Sequence, residues 1–252
     1  MVSEQVEVIP NQGLLVNELF GPVWQGEGRL TGQLAAFLRL GGCNLACSWC
    51  DTPHAVFFDE RKAKLHREGK AYDPQVELVR LSVGEVLQKL DGFLPRGGLL
   101  VVSGGEPMLQ RDRLEVLVTA ALAGGLDVAF ETAGTIHPGV LADKQIHWTV
   151  SPKLSGSGNP VNRRYQPGPL RAYNELGADF KFVVTGPVDA SEVGEIVRAL
   201  EIDRRRVWIM PEGTTRDAVL WNAKMAGNFA LANGFNFTLR QHVLLYGNER
   251  GR

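Results

Sequence analysis
Apolar residues in this chain come in short, nearly unbroken runs, separated by amphipathic stretches and glycine-bearing turns. The runs predict β-strands over residues 14–20, 35–40, 99–103, 128–132, 147–151, 179–184, 207–210 and 237–239. Several are apolar almost throughout, as strands covered on both faces of a parallel sheet must be. The stretches between them predict helices. Ser82 and Glu85 make a capping-box pattern ahead of a helix to about Leu90, and 113–123 stops at Gly124-Gly125. Residues 191–200 and 217–232 have the same helical period. Strand followed by helix, repeated, gives βα units on a parallel sheet. Their number falls short of a closed eight-fold barrel, so a partial TIM-like β/α barrel is expected. No linker or internal repeat interrupts 1–252, which reads as one domain.

One strand carries a charge that its surroundings make costly. In 35–40, a period of two puts Phe37 and Arg39 on one face and Ala36, Leu38 and Leu40 on the other. An unpaired guanidinium in such a strand is prohibitively expensive. Its partner is either a protein carboxylate or a bound carboxylate gripped by the arginine fork.

Composition narrows the class. The 252 residues are 44% hydrophobic with a net charge of −1, enough for a substantial core and no basis for general nucleic-acid binding. Residues 1–10 include Glu4 and Glu7 and lack the apolar stretch of a signal peptide. No apolar run approaches the ~18 residues of a membrane span. A cytoplasmic enzyme is expected. Residues 54–80 break the strand–helix rhythm and carry Arg61, Lys62, Lys64, His66, Arg67 and Lys70. They read as a surface insertion, or as a docking patch for an acidic electron donor.

The chain's three cysteines are Cys43, Cys47 and Cys50. Three thiolates can hold three irons of a 4Fe–4S cluster and leave the fourth iron open, whereas an electron carrier wants four ligands. A structural zinc site would need a fourth ligand, for which His54 is the local candidate, and disulfides would leave one thiol over. Other unusual groups fall at the carboxyl ends of predicted strands, where parallel α/β sheets bind ligands. They are Gly104-Gly105-Glu106-Pro107, Glu131-Thr132, Ser151-Pro152-Lys153, Lys181 and Met210-Pro211-Glu212-Gly213. The two glycines would let a ligand approach the backbone, and Glu106 could hold an ammonium group.

The spacing C-x3-C-x2-C, with Trp49 before the last cysteine, resembles the signature of the radical S-adenosylmethionine (SAM) enzymes. That resemblance implies a 4Fe–4S cluster whose open iron chelates SAM. Reduction then yields methionine and a 5′-deoxyadenosyl radical. It also implies SAM contacts from Ser48, Trp49, Gly104, Gly105, Glu106, Ser151, Pro152, Lys153, Lys181, Met210, Pro211, Glu212 and Gly213. Further motifs are Gln25-Gly26-Glu27-Gly28, Phe37-Leu38-Arg39-Leu40, Cys50-Asp51-Thr52, Glu131 to Thr135, and Leu239-Arg240-Gln241-His242. Together they resemble the 7-carboxy-7-deazaguanine synthases of 7-deazapurine and queuosine biosynthesis.

This second resemblance implies a carbon–nitrogen lyase acting on 6-carboxy-5,6,7,8-tetrahydropterin. Radical ring contraction gives 7-carboxy-7-deazaguanine and ammonia, and SAM is regenerated. It implies Mg²⁺ held by Thr52, and pterin contacts from Trp24, Gln25, Gly26, Glu27, Arg39, Ser103, Glu131 and His242. A homodimer and an external donor such as flavodoxin or ferredoxin are further implications. Ser103 stands where threonine is common. Residues 243–252 run beyond the point where relatives can end with a substrate-binding terminal carboxylate, so that role is not transferred to Arg252. A glycyl-radical activating enzyme is the alternative. It would need an open groove for a peptide, against which Gln25–Glu27 and Arg39 argue.

Overall fold
A computed structural model describes residues 13–252; Glu4, Glu7 and the expectation of no signal peptide in 1–10 lie outside that range. The strands are β1 (Leu14–Trp24), β2 (Leu34–Leu40), β3 (Val79–Leu81), β4 (Leu99–Gly104), β5 (Asp127–Thr132), β6 (His147–Val150), β7 (Asp179–Val184), β8 (Val207–Pro211) and β9 (Asn236–Phe237). They form one sheet in the order β3-β1-β2-β4-β5-β6-β7-β8-β9. From β2 onward all neighbours are parallel. The sheet ends at β3 and β9, which makes it a partial barrel. The expectation of parallel pairing fails for the first predicted strand: β1 runs antiparallel to both β2 and β3. Short β3 (Val79-Arg80-Leu81) escaped notice because three residues are too few to show a strand period.

Four short helices are α1 (Glu60–Ala63), α2 (Pro74–Glu77), α5 (Val161–Arg164) and α9 (Gln241–Tyr246). Longer ones are α3 (Val83–Asp91), α4 (Arg111–Ala123), α6 (Pro167–Glu175), α7 (Pro187–Ala199) and α8 (Arg216–Asn233). The Ser82–Glu85 capping box is present, with both reciprocal hydrogen bonds. Helix α6 was hidden by Pro167, Gly168 and Pro169. Both prolines sit in its first turn, where missing N–H groups cost nothing, and Leu170 and Tyr173 then bury one face.

Alternation along the strands separates two cores. Ala36, Leu38, Leu40, Leu100, Val102, Val128 and Phe130 face the helices and are fully buried. Ala35, Leu99, Val101 and Ala129 fill the floor of the inner face beneath Phe37. Moving up each inner face, the next side chains are Arg39, Ser103 and Glu131. Arg39 is in register with Ser103 on the adjoining strand. The barrel is therefore dry at its base and polar where the strands end.

Candidate active site
The loop after β2 carries the three cysteines, none in a disulfide. Its backbone is tied down from several sides. Glu106 N donates to Gly42 O (2.9 Å), Ser48 N donates to Ser157 O (2.9 Å), and Ala46 N donates to Asn159 Oδ1 (2.9 Å). Segment 54–80, expected as a solvated surface insertion, folds back onto this loop instead. Ala55, Val56, Phe57 and Ala63 bury themselves against Cys43 and Cys50. Lys62 Nζ donates to Cys43 O (2.7 Å), His66 Nε2 lies 2.9 Å from Cys50 O, and Arg67 N donates to Ser48 O (2.9 Å). Arg61, Lys64, Arg67 and Lys70 remain exposed.

Burial pushes the Cys43 and Cys50 thiols up to about 12. A thiolate here needs a cation to stabilise it, which cluster iron supplies. His54, the candidate fourth zinc ligand, turns its Nδ1 to Asn17 Oδ1 (2.9 Å). Among the described residues no three His, Cys, Asp or Glu side chains converge on a single-ion site. The three thiols open instead onto one cavity of about 540 Å³, which suits a polynuclear group. An N–H from Asn159 Nδ2 also reaches Cys47 Sγ (3.3 Å).

That cavity is bounded by the inner strand faces and lined by most of the predicted site. Trp24, Gln25, Gly26, Glu27, Arg39, Thr52, Ser103, Glu131 and His242 border it, as do Trp49, Gly104, Gly105, Ser151, Lys153, Lys181 and Met210. Ser48, Glu106, Pro152, Pro211, Glu212 and Gly213 do not. Thr52 Oγ1 lies 3.7 Å from Cys50 Sγ, beside the cysteine loop.

One sequence expectation changes here, and the glycine pair gains a second role. Glu106 is fully buried, and its oxygens accept from Met108 N (3.1 Å), Thr132 Oγ1 (2.7 Å) and Ala133 N (2.8 Å). It is closed to a ligand ammonium and anchors the turn. Gly104 and Gly105 are required by the protein backbone itself: a Cβ would sit 2.3 Å from Leu40 O at one and 2.2 Å from Gly42 O at the other. Glu212 pairs with Arg67 (3.1 Å), and Gly213 O accepts from Arg240.

The polar wall is a single network. Glu131 accepts from Gln25 Nε2 (3.2 Å) and Ser103 Oγ (3.2 Å), and Lys181 Nζ reaches it at 3.4 Å. Lys181, expected among the SAM contacts, borders the cavity and bridges Glu131 to Glu27. Arg240 donates from Nε to Glu27 (2.8 Å) and from another nitrogen to Asp51, next to Cys50. Burial works against the Glu27 carboxylate, but Lys181 and Arg240 overcome it and hold the pKa well below the usual range. Burial also lowers the His242 pKa, so the imidazole is neutral at pH 7 although Glu27 lies 3.8 Å away. Gly26 gives His242 its place, since a Cβ there would meet the ring at 2.3 Å. Of the two partners expected for Arg39, a protein carboxylate is present: its Nε donates to Glu18 (2.8 Å). Among the described residues its terminal amino groups have no acceptor.

Residues 38–144 match the Radical SAM superfamily. A 7-carboxy-7-deazaguanine synthase of Pyrobaculum aerophilum is 34% identical to this chain, over 94% of it and 96% of the relative. The chain belongs to the 7-carboxy-7-deazaguanine synthase family. The synthase of Hyperthermus butylicus is also 34% identical, over 93% and 94% of the two chains. The crystal structure of QueE from Escherichia coli superposes with a TM-score of 0.68 at 25% identity, covering 91% of this chain and 95% of that one. Within this synthase family fold, sequence reasoning missed Glu18, Asp51, Asn159 and Arg240 as parts of the site. Arg240 lay inside a quoted motif, directly before His242, and could have been weighed. Glu18 lay within the predicted strand 14–20 and no motif marked it.

Proposed function
We propose that this chain converts 6-carboxy-5,6,7,8-tetrahydropterin to 7-carboxy-7-deazaguanine with release of ammonia. The observation that carries this reading is one cavity with three thiols on one side and an arginine with unused donors on another. The cluster and SAM, when bound, supply reversible hydrogen-atom abstraction. Cys43, Cys47 and Cys50 would hold the cluster, with Gly104, Gly105, Ser151, Lys153 and Met210 toward SAM. The remaining chemistry of the chain is placement. Arg39 offers its terminal amino groups to the substrate carboxylate. Glu131, Gln25 and Ser103 present acceptors and donors to the amide edge of the pterin, and Lys181 lies against Glu131. Neutral His242 adds a ring nitrogen that acts as either donor or acceptor. Thr52 provides a hydroxyl to Mg²⁺, a hard cation that takes oxygen ligands.

We also place electron delivery at the exposed basic side chains of 54–80, facing an acidic flavodoxin or ferredoxin, and expect a homodimer in the cytoplasm. No described helix is long and apolar enough to cross a membrane. The test is anaerobic incubation of iron-loaded protein with the carboxypterin, SAM and dithionite. Product and ammonia should form together, and Cys47→Ala should abolish both the brown chromophore and turnover. A full SAM-competent cluster in Cys47→Ala would refute the ligand assignment. Hydrogen abstraction from a partner peptide, without pterin turnover, would restore the activating-enzyme reading.

A further inference from the structure
The C-terminal tail beyond α9 returns across the mouth of the cavity, and Gly247 to Arg252 line it. One side chain fastens it there. Arg250 donates from Nε to Glu18 Oε1 (2.7 Å) and from a terminal nitrogen to Glu77 Oε2 (3.0 Å). The other oxygen of Glu18 accepts from Arg39 Nε (2.8 Å). Glu18 is thus shared between the cavity arginine on β2 and the tail arginine, each on its own oxygen. The Glu18 side chain is 13% exposed and that of Arg39 16%, so the pair is mostly shielded from water.

This arrangement does two things for an anion held by Arg39. A carboxylate on Nε fixes the plane of the guanidinium, which leaves the two terminal amino groups as a preset fork. Glu18 by itself would also repel a bound carboxylate. Arg250 offsets that charge, and Glu77 in turn balances Arg250. Burial raises the Glu18 pKa, but Arg39 and Arg250 outweigh it, so the group stays ionised.

We infer that Glu18 and Arg250 are positioning residues for substrate recognition: Glu18 orients Arg39 toward the substrate carboxylate, and Arg250 latches the tail over the mouth of the cavity through the same glutamate. The inference rests on the reading of Arg39 as the carboxylate-binding residue.

The test measures KM and kcat for the carboxypterin, and the inhibition constant of tetrahydropterin lacking the carboxyl, in iron-loaded enzyme. Glu18→Ala should raise KM about 10-fold, the worth of one charge-assisted hydrogen bond, with kcat little changed. The decarboxylated analogue should bind it as it binds the unaltered enzyme. Glu18→Gln keeps an oxygen for Arg39 Nε and should recover most of the affinity. Arg250→Ala, a change at a half-exposed side chain that threatens no core, should raise KM several-fold. Arg250→Ala added to Glu18→Ala should add nothing. An unchanged KM in Glu18→Ala, equal loss for the decarboxylated analogue, or additive effects of the two changes would each overturn the latch. Arg39→Met separates the two readings. If it loses affinity while Glu18→Ala and Arg250→Ala do not, the latch alone fails. If Arg39→Met keeps full affinity, the substrate reading fails and the latch falls with it.

Discussion

At the scale of single residues, the site turns on charges that the fold buries and then pairs. Arg39→Met removes the terminal fork but leaves Glu18 its second partner, Arg250, so the protein should fold and keep its cluster. Losing one side of a shielded ion pair costs about 3–5 kcal/mol, or roughly 10²–10⁴-fold in affinity. Isothermal titration with the carboxypterin should show that loss, and Arg39→Lys should recover only part of it. His242 makes a separate prediction about pH. Its pKa is lowered from 6.5 in the folded chain, so folding favours the neutral ring. The folded state then binds fewer protons than the unfolded one, and this stabilisation is present above about pH 6.5 and lost as pH falls through the folded value. His242→Gln should therefore unfold in urea with a weaker pH dependence between pH 7 and 5. Parallel slopes for the two proteins would show that burial does not favour the neutral ring.

At the scale of elements, the alternation of β2 told correctly which side chains enter the cavity and which enter the core. Phe37 and Arg39 line the cavity, and Ala36, Leu38 and Leu40 are buried beneath the helices. The glycines at the end of β4 have a second role, which the sequence did not show. They let β4 approach the backbone that leads into the cysteine loop. Gly104→Ala, at φ +144° with a Cβ 2.3 Å from Leu40 O, should cost about 4 kcal/mol or more, since backbone cannot yield. Gly84→Ala in α3 meets nothing within 4 Å and should stabilise by about 0.5–1 kcal/mol through helix propensity. Urea midpoints of the two variants check both signs. Helix α6 and strand β3 were unreadable for a common reason. Their local signals, prolines in one and a run of only three residues in the other, do not reveal the state that tertiary contacts impose.

At the scale of the whole molecule, the chemistry was readable and its wiring was not. Cysteine spacing and strand-end motifs are local patterns, and a single sequence displays them. The partners of Glu27, namely Lys181 and Arg240, lie far along the chain and meet only because successive parallel strands bring their ends together. The same is true of Arg250 and Glu18, and of Asn159 and Cys47. Segment 54–80 looked like surface because its charges are conspicuous, yet its apolar residues cover the cysteine loop. The central claim is a redox-neutral ring contraction, in which SAM is returned at each turnover. The measurement that tests it most directly counts 5′-deoxyadenosine against 7-carboxy-7-deazaguanine in one anaerobic reaction with the carboxypterin. Product should exceed 5′-deoxyadenosine many-fold as turnover proceeds. One-for-one accumulation of the two would contradict the account.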